Sequence, residues 1–286
     1  MKVEFYDDVN RFNELVFPFL LKYEAENNLL FSILNVLKED LYRYGDKKPI
    51  LTFITENDNI KLVSIRTPPH KQILSYTDNL QSIDVLTDVL IKKNIDIPGV
   101  LGFKEGVEKF VKLWFEKKGV KSKLINNERI YKLEHVEETT LGKKKFVKAT
   151  KSNENIVLQW AKKFMLEAFP ERSQEMIEQS MKRLKKAILK GKIYLLLDNN
   201  KPVSMAQKAG RTPNGNSVNF VYTPPTLRRR GYATECVAKL SKKILKEGNK
   251  FCFLFTDLKN PTSNSIYQKV GYRSVIDVDE FQFIPK

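Results

Sequence analysis

Residues 216–256 constrain the fold more than any other stretch. NSVNFVYT at 216–223 reads as a strand, and Pro224 and Pro225 force an extended exit from it. Arg228-Arg229-Arg230-Gly231 then leads straight into a helix that runs to about Glu247 and is stopped by Gly248. KFCFLFT at 250–256 follows, almost wholly apolar, as a central strand covered on both faces should be. A strand, a helical crossover and a buried strand in this order call for an α/β (α+β) fold with a mixed sheet.

The rest of the chain fits that class. At 286 residues it is long enough for two domains and for a core that needs no disulfide or metal staples. In the first half, helices are expected at 9–24 and 27–43. A strand hairpin follows at 50–55 and 60–65, then a short strand at 72–77, a helix from an Asn79 cap to Lys92, a helix at 104–118 and a strand at 128–136. EETTLGKKK at 137–145 is polar and charged, and the domain boundary is placed there, giving domains of 1–140 and 141–286. The second half repeats the theme. It has a short strand at 146–150, helices at 153–168 and 173–190, strands at 193–197, 202–210 and 216–223, the helix after Gly231, the strand at 250–256, a helix at 262–270 and one or two strands in 272–283.

Composition narrows the function classes. With only Cys236 and Cys252, a disulfide-rich scaffold and a four-cysteine zinc site are excluded. Both cysteines read as small buried hydrophobes. His70 and His135 are too far apart in sequence to suggest a metal site. No apolar run is long enough to span a membrane, and the first residues do not read as a signal peptide, so a soluble cytoplasmic protein is expected. The net charge of +16 is uneven, because residues 1–60 hold 7 basic and 11 acidic side chains. The remaining positive field attracts anions, phosphorylated cofactors included. Only 11 of the 50 basic residues are Arg, the usual bidentate reader of phosphates and bases, so no specific nucleic-acid partner is expected. The basic helix MKRLKKAILKGK at 181–192 is read as a solvated face.

The chemistry concentrates after the paired prolines. The first-turn amides of a helix are unpaired and carry the positive end of its dipole, so with three adjacent arginines they form an anion site suited to a diphosphate. This segment resembles the acetyl-coenzyme A loop of the GCN5-related N-acetyltransferase (GNAT) superfamily, Gln/Arg-x-x-Gly-x-Gly/Ala, with Arg228, Gly231 and Ala233 at the motif positions. NPTSNSIYQKVGY resembles the superfamily's second segment through Asn260, Ser263, Tyr267, Gly271 and Tyr272. The likeness covers roughly residues 145–286. It implies the acyl-CoA N-acyltransferase (GNAT) fold for the C-terminal domain, and a related but degenerate, or accessory, α/β domain before it.

The resemblance also implies roles. Acetyl-CoA is the cofactor, and the acceptor is a primary amine on a small molecule or peptide. Backbone groups of Val221 and Thr223 meet the pantetheine arm and thioester. The amides of Arg228, Arg229, Arg230, Gly231, Tyr232, Ala233 and Thr234 cradle the diphosphate, with Arg229 or Arg230 reaching the ribose phosphate. Asn260 and Ser263 flank the cofactor arm, and the Tyr267 hydroxyl protonates the departing thiolate. For the general base, Glu167, Glu235 and an ordered water stay open, with Glu235 read as a solvated helix residue. The implied reaction is direct attack of the amine on the bound thioester, in a monomer or homodimer. A non-catalytic acyl-CoA sensor and a basic nucleic-acid binder are the alternatives.

Overall fold

The computed structural model describes residues 1–170 and 173–284. The first half runs β1 (Lys2–Tyr6), α1 (Val9–Lys22), α2 (Asn28–Glu39), β2 (Ile50–Glu56), β3 (Asn59–Arg66), β4 (Gln72–Leu74), α3 (Gln81–Lys92), β5 (Gly99–Phe103), α4 (Lys104–Lys118) and β6 (Ser122–Leu133). The second half runs β7 (Lys145–Lys148), α5 (Glu154–Ala168), α6 (Gln174–Leu189), β8 (Ile193–Asp198), β9 (Lys201–Arg211), β10 (Gly215–Tyr222), α7 (Tyr232–Lys246), β11 (Phe251–Asp257), α8 (Pro261–Val270) and β12 (Arg273–Phe283).

These strands form one mixed sheet in the order β1-β2-β3-β4-β5-β12-β6-β11-β10-β9-β8-β7. Its centre is an exchange between the two halves. β6 lies between β11 and β12, pairing Leu133 with Cys252 through to Glu128 with Asp257 on one side, and Lys132 with Arg273 through to Ser122 with Phe283 on the other. β12 in turn lies between β6 and β5, where Val278 pairs with Phe103. Side chains fix this register. Arg129 makes a two-pronged contact with Asp277, at 2.6 and 3.0 Å, and Lys71 Nζ meets Glu280 at 2.5 Å. Asn127 donates to Asp279 and Asn126 to Glu280. Charge-assisted, bidentate contacts of this kind carry geometric specificity as well as energy.

Both faces of the sheet are covered. Phe12, Val16 and Leu20 of α1 and Leu34 of α2 pack on Leu51, Val63 and Ile65, while Leu86 and Leu90 of α3 and Phe110 and Trp114 of α4 pack on Ile54, Leu62 and Phe283. In the second half, Trp160 and Ala161 of α5 and Leu184 and Ile188 of α6 cover Leu195, Met205 and Tyr222. Cys236, Val237 and Leu240 of α7 and Tyr267 and Val270 of α8 cover Leu196, Val218 and Leu254 on the opposite face.

β1 and β5 escape the sequence reading. KVEFY is a half-exposed edge strand, and GVLGF carries two glycines that hide its pattern. β12 is one long strand, and β6 starts at Ser122, because its polar first residues are held by pairing with β12 rather than by burial.

Candidate active site

β10 and β11 are parallel neighbours only from Gly215/Phe251 to Ser217/Phe253, yet β10 continues to Tyr222 and β11 to Asp257. The two strands therefore part at their carboxyl ends. The cause lies in β10, whose register with β9 shifts between Asn219 and Tyr222. At the bulge Phe220 takes φ +46, and its N–H bonds to the Asn219 side chain at 2.7 Å. A bulge disrupts the ladder and re-aims the strand. A wedge thus opens between the two central strands at the level of Val221 and Thr223.

The loop above the wedge ends in an open helix terminus. Arg229 (φ +64) and Gly231 (φ +78) are both left-handed, Gly231 is the N-cap of α7, and no side chain caps the helix. The first bonded amide is that of Glu235, to the Gly231 carbonyl at 3.0 Å. A Cβ built at Gly231 meets nothing within 4 Å, so the terminus faces open space. Among the described residues no acceptor serves the amides of Tyr232, Ala233 and Thr234, and Arg229 and Arg230 stand exposed beside them. This arrangement fits an anion. The Tyr232 side chain turns inward instead, and its hydroxyl bonds to Asp198 at 2.5 Å.

Arg228 is differently employed. Its amide donates to the Pro225 carbonyl at 3.3 Å, its Nε to the Thr223 carbonyl at 2.9 Å and its Nη2 to Glu167 at 2.5 Å, so it points away from the helix terminus. Glu167, at the end of α5, uses its other oxygen to accept from the Tyr222 hydroxyl at 3.2 Å. Tyr222 is the residue that sequence reasoning missed. Its place between Val221 and Thr223 in the strand-end segment was the available signal.

Tyr267 sits on α8 in the cluster that holds Val218 of β10 and Leu254 of β11, with its ring against Tyr131 (6.4 Å) and Tyr272 (6.0 Å). It is 9% exposed, and its hydroxyl has no hydrogen-bond partner among the described residues. Burial alone pushes its pKa up to about 12, so the phenol keeps its proton through the neutral range. Asn260 caps α8 through the Ser263 amide at 3.0 Å. Asn264, also missed, receives the Tyr131 hydroxyl at 3.0 Å and donates to the carbonyls of Asp257 (3.0 Å) and Asn260 (2.7 Å), fixing α8 to the parted end of β11.

Glu235 corrects an expectation. It is buried rather than solvated, accepting from the Lys144 amide at 2.7 Å and from Lys239 at 3.2 Å. The approach of Gly142, where a Cβ would meet its carboxyl group, locks it to the loop before β7. Glu235 thus ties α7 to the loop before β7. Cys236 and Cys252 are buried and raised to about 12 by desolvation, which leaves them inert thiols. Among the described residues no cluster of ligating side chains forms a metal site, and no helix is long and apolar enough to cross a membrane.

These buried groups set an alkaline limit on stability. Both thiols, Tyr267 and Tyr272 titrate higher in the folded chain than in the unfolded one, where Cys lies near about 8.5 and Tyr near about 10. Their contribution is intact below those unfolded values and is lost as pH rises toward about 12. The melting temperature is expected to stay level from about pH 7 to 8.5 and to fall steeply between about 9 and 12. Circular dichroism against pH checks this, and a level profile to the top of that range would contradict it.

The first half offers the topological equivalent, and it is closed. β4 and β5 are parallel neighbours, and the loop after β4 leads into α3. There Asn79 Oδ1 accepts from the Gln81 amide (3.1 Å), Thr77 Oγ1 from the Asn79 amide (3.0 Å), and the Asn79 carbonyl from Ser82 (2.6 Å and 3.1 Å). No arginine or lysine lies in residues 75–80. The first-turn amides of α3, those of Gln81, Ser82 and Ile83, thus all have acceptors within the loop, so this terminus offers an anion no free donor.

Comparison with known proteins agrees with this geometry. Residues 196–281, spanning the wedge, loop and α8, match the family model described as FR47-like protein. An acetyltransferase from the GNAT family of Colwellia psychrerythraea is 10% identical with a TM-score of 0.57, covering 99% of this chain and 100% of that one. A Drosophila protein of structural-genomics origin is 13% identical with a TM-score of 0.63, covering 99% and 98%. A GCN5-related N-acetyltransferase from Sphaerobacter thermophilus is 11% identical with a TM-score of 0.57, covering 88% and 85%. At these identities the likeness is one of fold. No curated protein matches the chain.

Proposed function

We propose, from the FR47-like segment at residues 196–281 and from a fold shared with GNAT acetyltransferases, that the chain is a GCN5-related N-acetyltransferase that transfers an acetyl group from acetyl-coenzyme A to a primary amine. The observation that supports this most is the uncapped terminus of α7 standing directly above the parted ends of β10 and β11. The amides of Tyr232, Ala233 and Thr234 would hold the diphosphate, with Arg229 and Arg230 adding charge. Acetyl-coenzyme A, when bound, supplies an activated thioester. The residues 1–140 would serve as a degenerate partner unit and 141–286 as the cofactor-binding unit.

The chain's own groups then divide the work. Strand β10, free of β11 beyond Ser217, has backbone groups to polarise a carbonyl in the wedge. Tyr267 holds a proton at a hydroxyl that no described residue shares, and donates it to the leaving sulfur. Holding both reactants in one wedge provides the proximity that lowers the barrier further.

Gly231→Glu tests the assignment. It forces an L side chain into φ +78 and sets a carboxylate where the diphosphate would lie. Coenzyme A affinity is expected to fall about 100-fold or more, since the new carboxylate repels the diphosphate and fills the space beside the free amides. Unchanged affinity in calorimetry would refute the placement of the cofactor.

A further inference from the structure

Resting on that reading, the geometry points to Tyr222 as a further catalytic residue, a proton relay that passes the acceptor amine's proton to Glu167, with Arg228 as the positioning residue that couples this relay to the cofactor loop. Three elements meet here. Tyr222 ends β10 at the bulge, Glu167 ends α5, and Arg228 begins the loop before α7. The Tyr222 hydroxyl donates to Glu167 Oε1 at 3.2 Å, and Arg228 Nη2 donates to Oε2 at 2.5 Å. The Arg228 guanidinium also lies 5.7 Å from the Tyr222 ring centre and bonds the Thr223 carbonyl at 2.9 Å.

The two sides of the sheet divide the proton traffic. Tyr267 belongs to the core on the α7 and α8 face, whereas Tyr222 belongs to the core on the α5 and α6 face, beside Trp160 at 6.2 Å. A thioester in the wedge therefore has a proton donor on one face and a proton acceptor system on the other. Glu167 takes the Tyr222 hydroxyl on one oxygen and Arg228 on the other, so the phenol is already bonded to the carboxylate that would receive its proton. The Glu167 side chain is 46% exposed, which gives the proton an exit to water, while Tyr222 itself is buried. Burial, and then the Glu167 carboxylate, push the Tyr222 phenol above its ordinary pKa, so it stays protonated and accepts a proton only as it gives one up. The charged groups acting on it from the described residues are Glu167 from α5 and Arg228 from the loop.

The step balances. A bound primary ammonium gives one proton to Tyr222 Oη as that hydroxyl gives its own to Glu167. The freed lone pair forms the nitrogen–carbon bond, the carbon–sulfur bond breaks, and the sulfur leaves with the electron pair and takes the Tyr267 proton. The nitrogen's second proton passes to water, from which Tyr267 is reprotonated.

The test uses the full chain with acetyl-coenzyme A and a panel of benzylamine, spermidine, glycine and a lysine-containing peptide, following thiol release from pH 7 to 9. Tyr222→Phe keeps the ring and removes the relay. It is expected to lower kcat about 100-fold at pH 7, within the range for general acid–base catalysis, with coenzyme A affinity unchanged. The deficit should shrink toward pH 9, because solution then supplies more neutral amine. Glu167→Gln should lose a similar factor, and the double variant little more than either, as groups acting in one chain are non-additive. A deficit constant with pH, a multiplicative double variant, or full activity in both single variants would overturn the relay while leaving the transferase reading in place. No thiol release by the unaltered protein with any of these amines would overturn both.

Discussion

Tyr267→Phe is expected to slow thiol release by about 10²–10³-fold while coenzyme A affinity stays within about twofold of the unaltered protein. The magnitude follows from what the hydroxyl does in the fold. It lies in an apolar cluster with no hydrogen-bond partner among the described residues, so removing it breaks no hydrogen bond and costs little folding energy. What the proposed mechanism would lose is the proton held at about pKa 12 that it assigns to the departing thiolate. Thermal melting of the variant at neutral pH should match that of the parent. Steady-state kinetics with cofactor titration separates the outcomes: an unchanged kcat would remove Tyr267 from the chemistry, and a lost affinity would make it a packing residue for the cofactor.

The second large effect concerns the exchange of strands. Residues 141–286 produced alone are expected to show no cooperative thermal transition. β11 would lose its partner from Cys252 to Asp257, and β12 would lose both β5 and β6. The missing strand also carries Ile130, Tyr131 and Leu133, each about 1% exposed. At about 1.5–3 kcal/mol for each large buried side chain, their loss removes about 5–9 kcal/mol. That is comparable to the whole stability of an ordinary domain, about 5–15 kcal/mol. Calorimetry of the fragment decides the matter, and a sharp transition at the temperature of the full chain would show that the exchange is dispensable.

The legible parts of the fold were those whose cause is local. The hairpin around Asn57 and Asp58, the glycine stops at Gly119 and Gly191, and the α7 amphipathic helix all follow from adjacent residues, and each lies where the pattern puts it. Asn79 sits one residue before the Leu80 cap of α3, and its side chain accepts from the Gln81 amide, close to where its chemistry suggests a cap. The strand exchange was not legible, because Arg129 and Asp277 are far apart in sequence and both strands are only partly apolar. For the proposed site, the anion-binding loop at Gly231 follows from a strand, paired prolines, arginines and a helix start in sequence, whereas the role of Tyr267 comes from the family resemblance of its segment alone. The partnership of Tyr222, Glu167 and Arg228 was not legible, since it joins the ends of a helix, a strand and a loop that only the tertiary fold brings together. Glu235 misled for the same reason: its exposure was judged from its own helix, whereas the loop at Gly142 covers it.

The most direct measurement is a titration of the amide-labelled protein with coenzyme A, followed by backbone resonances. The largest shifts are expected at Gly231, Tyr232, Ala233 and Thr234, with the amides of Gln81, Ser82 and Ile83 at the start of α3 undisturbed. Binding that leaves residues 231–234 unmoved, or that moves the α3 terminus instead, would contradict this placement of the cofactor.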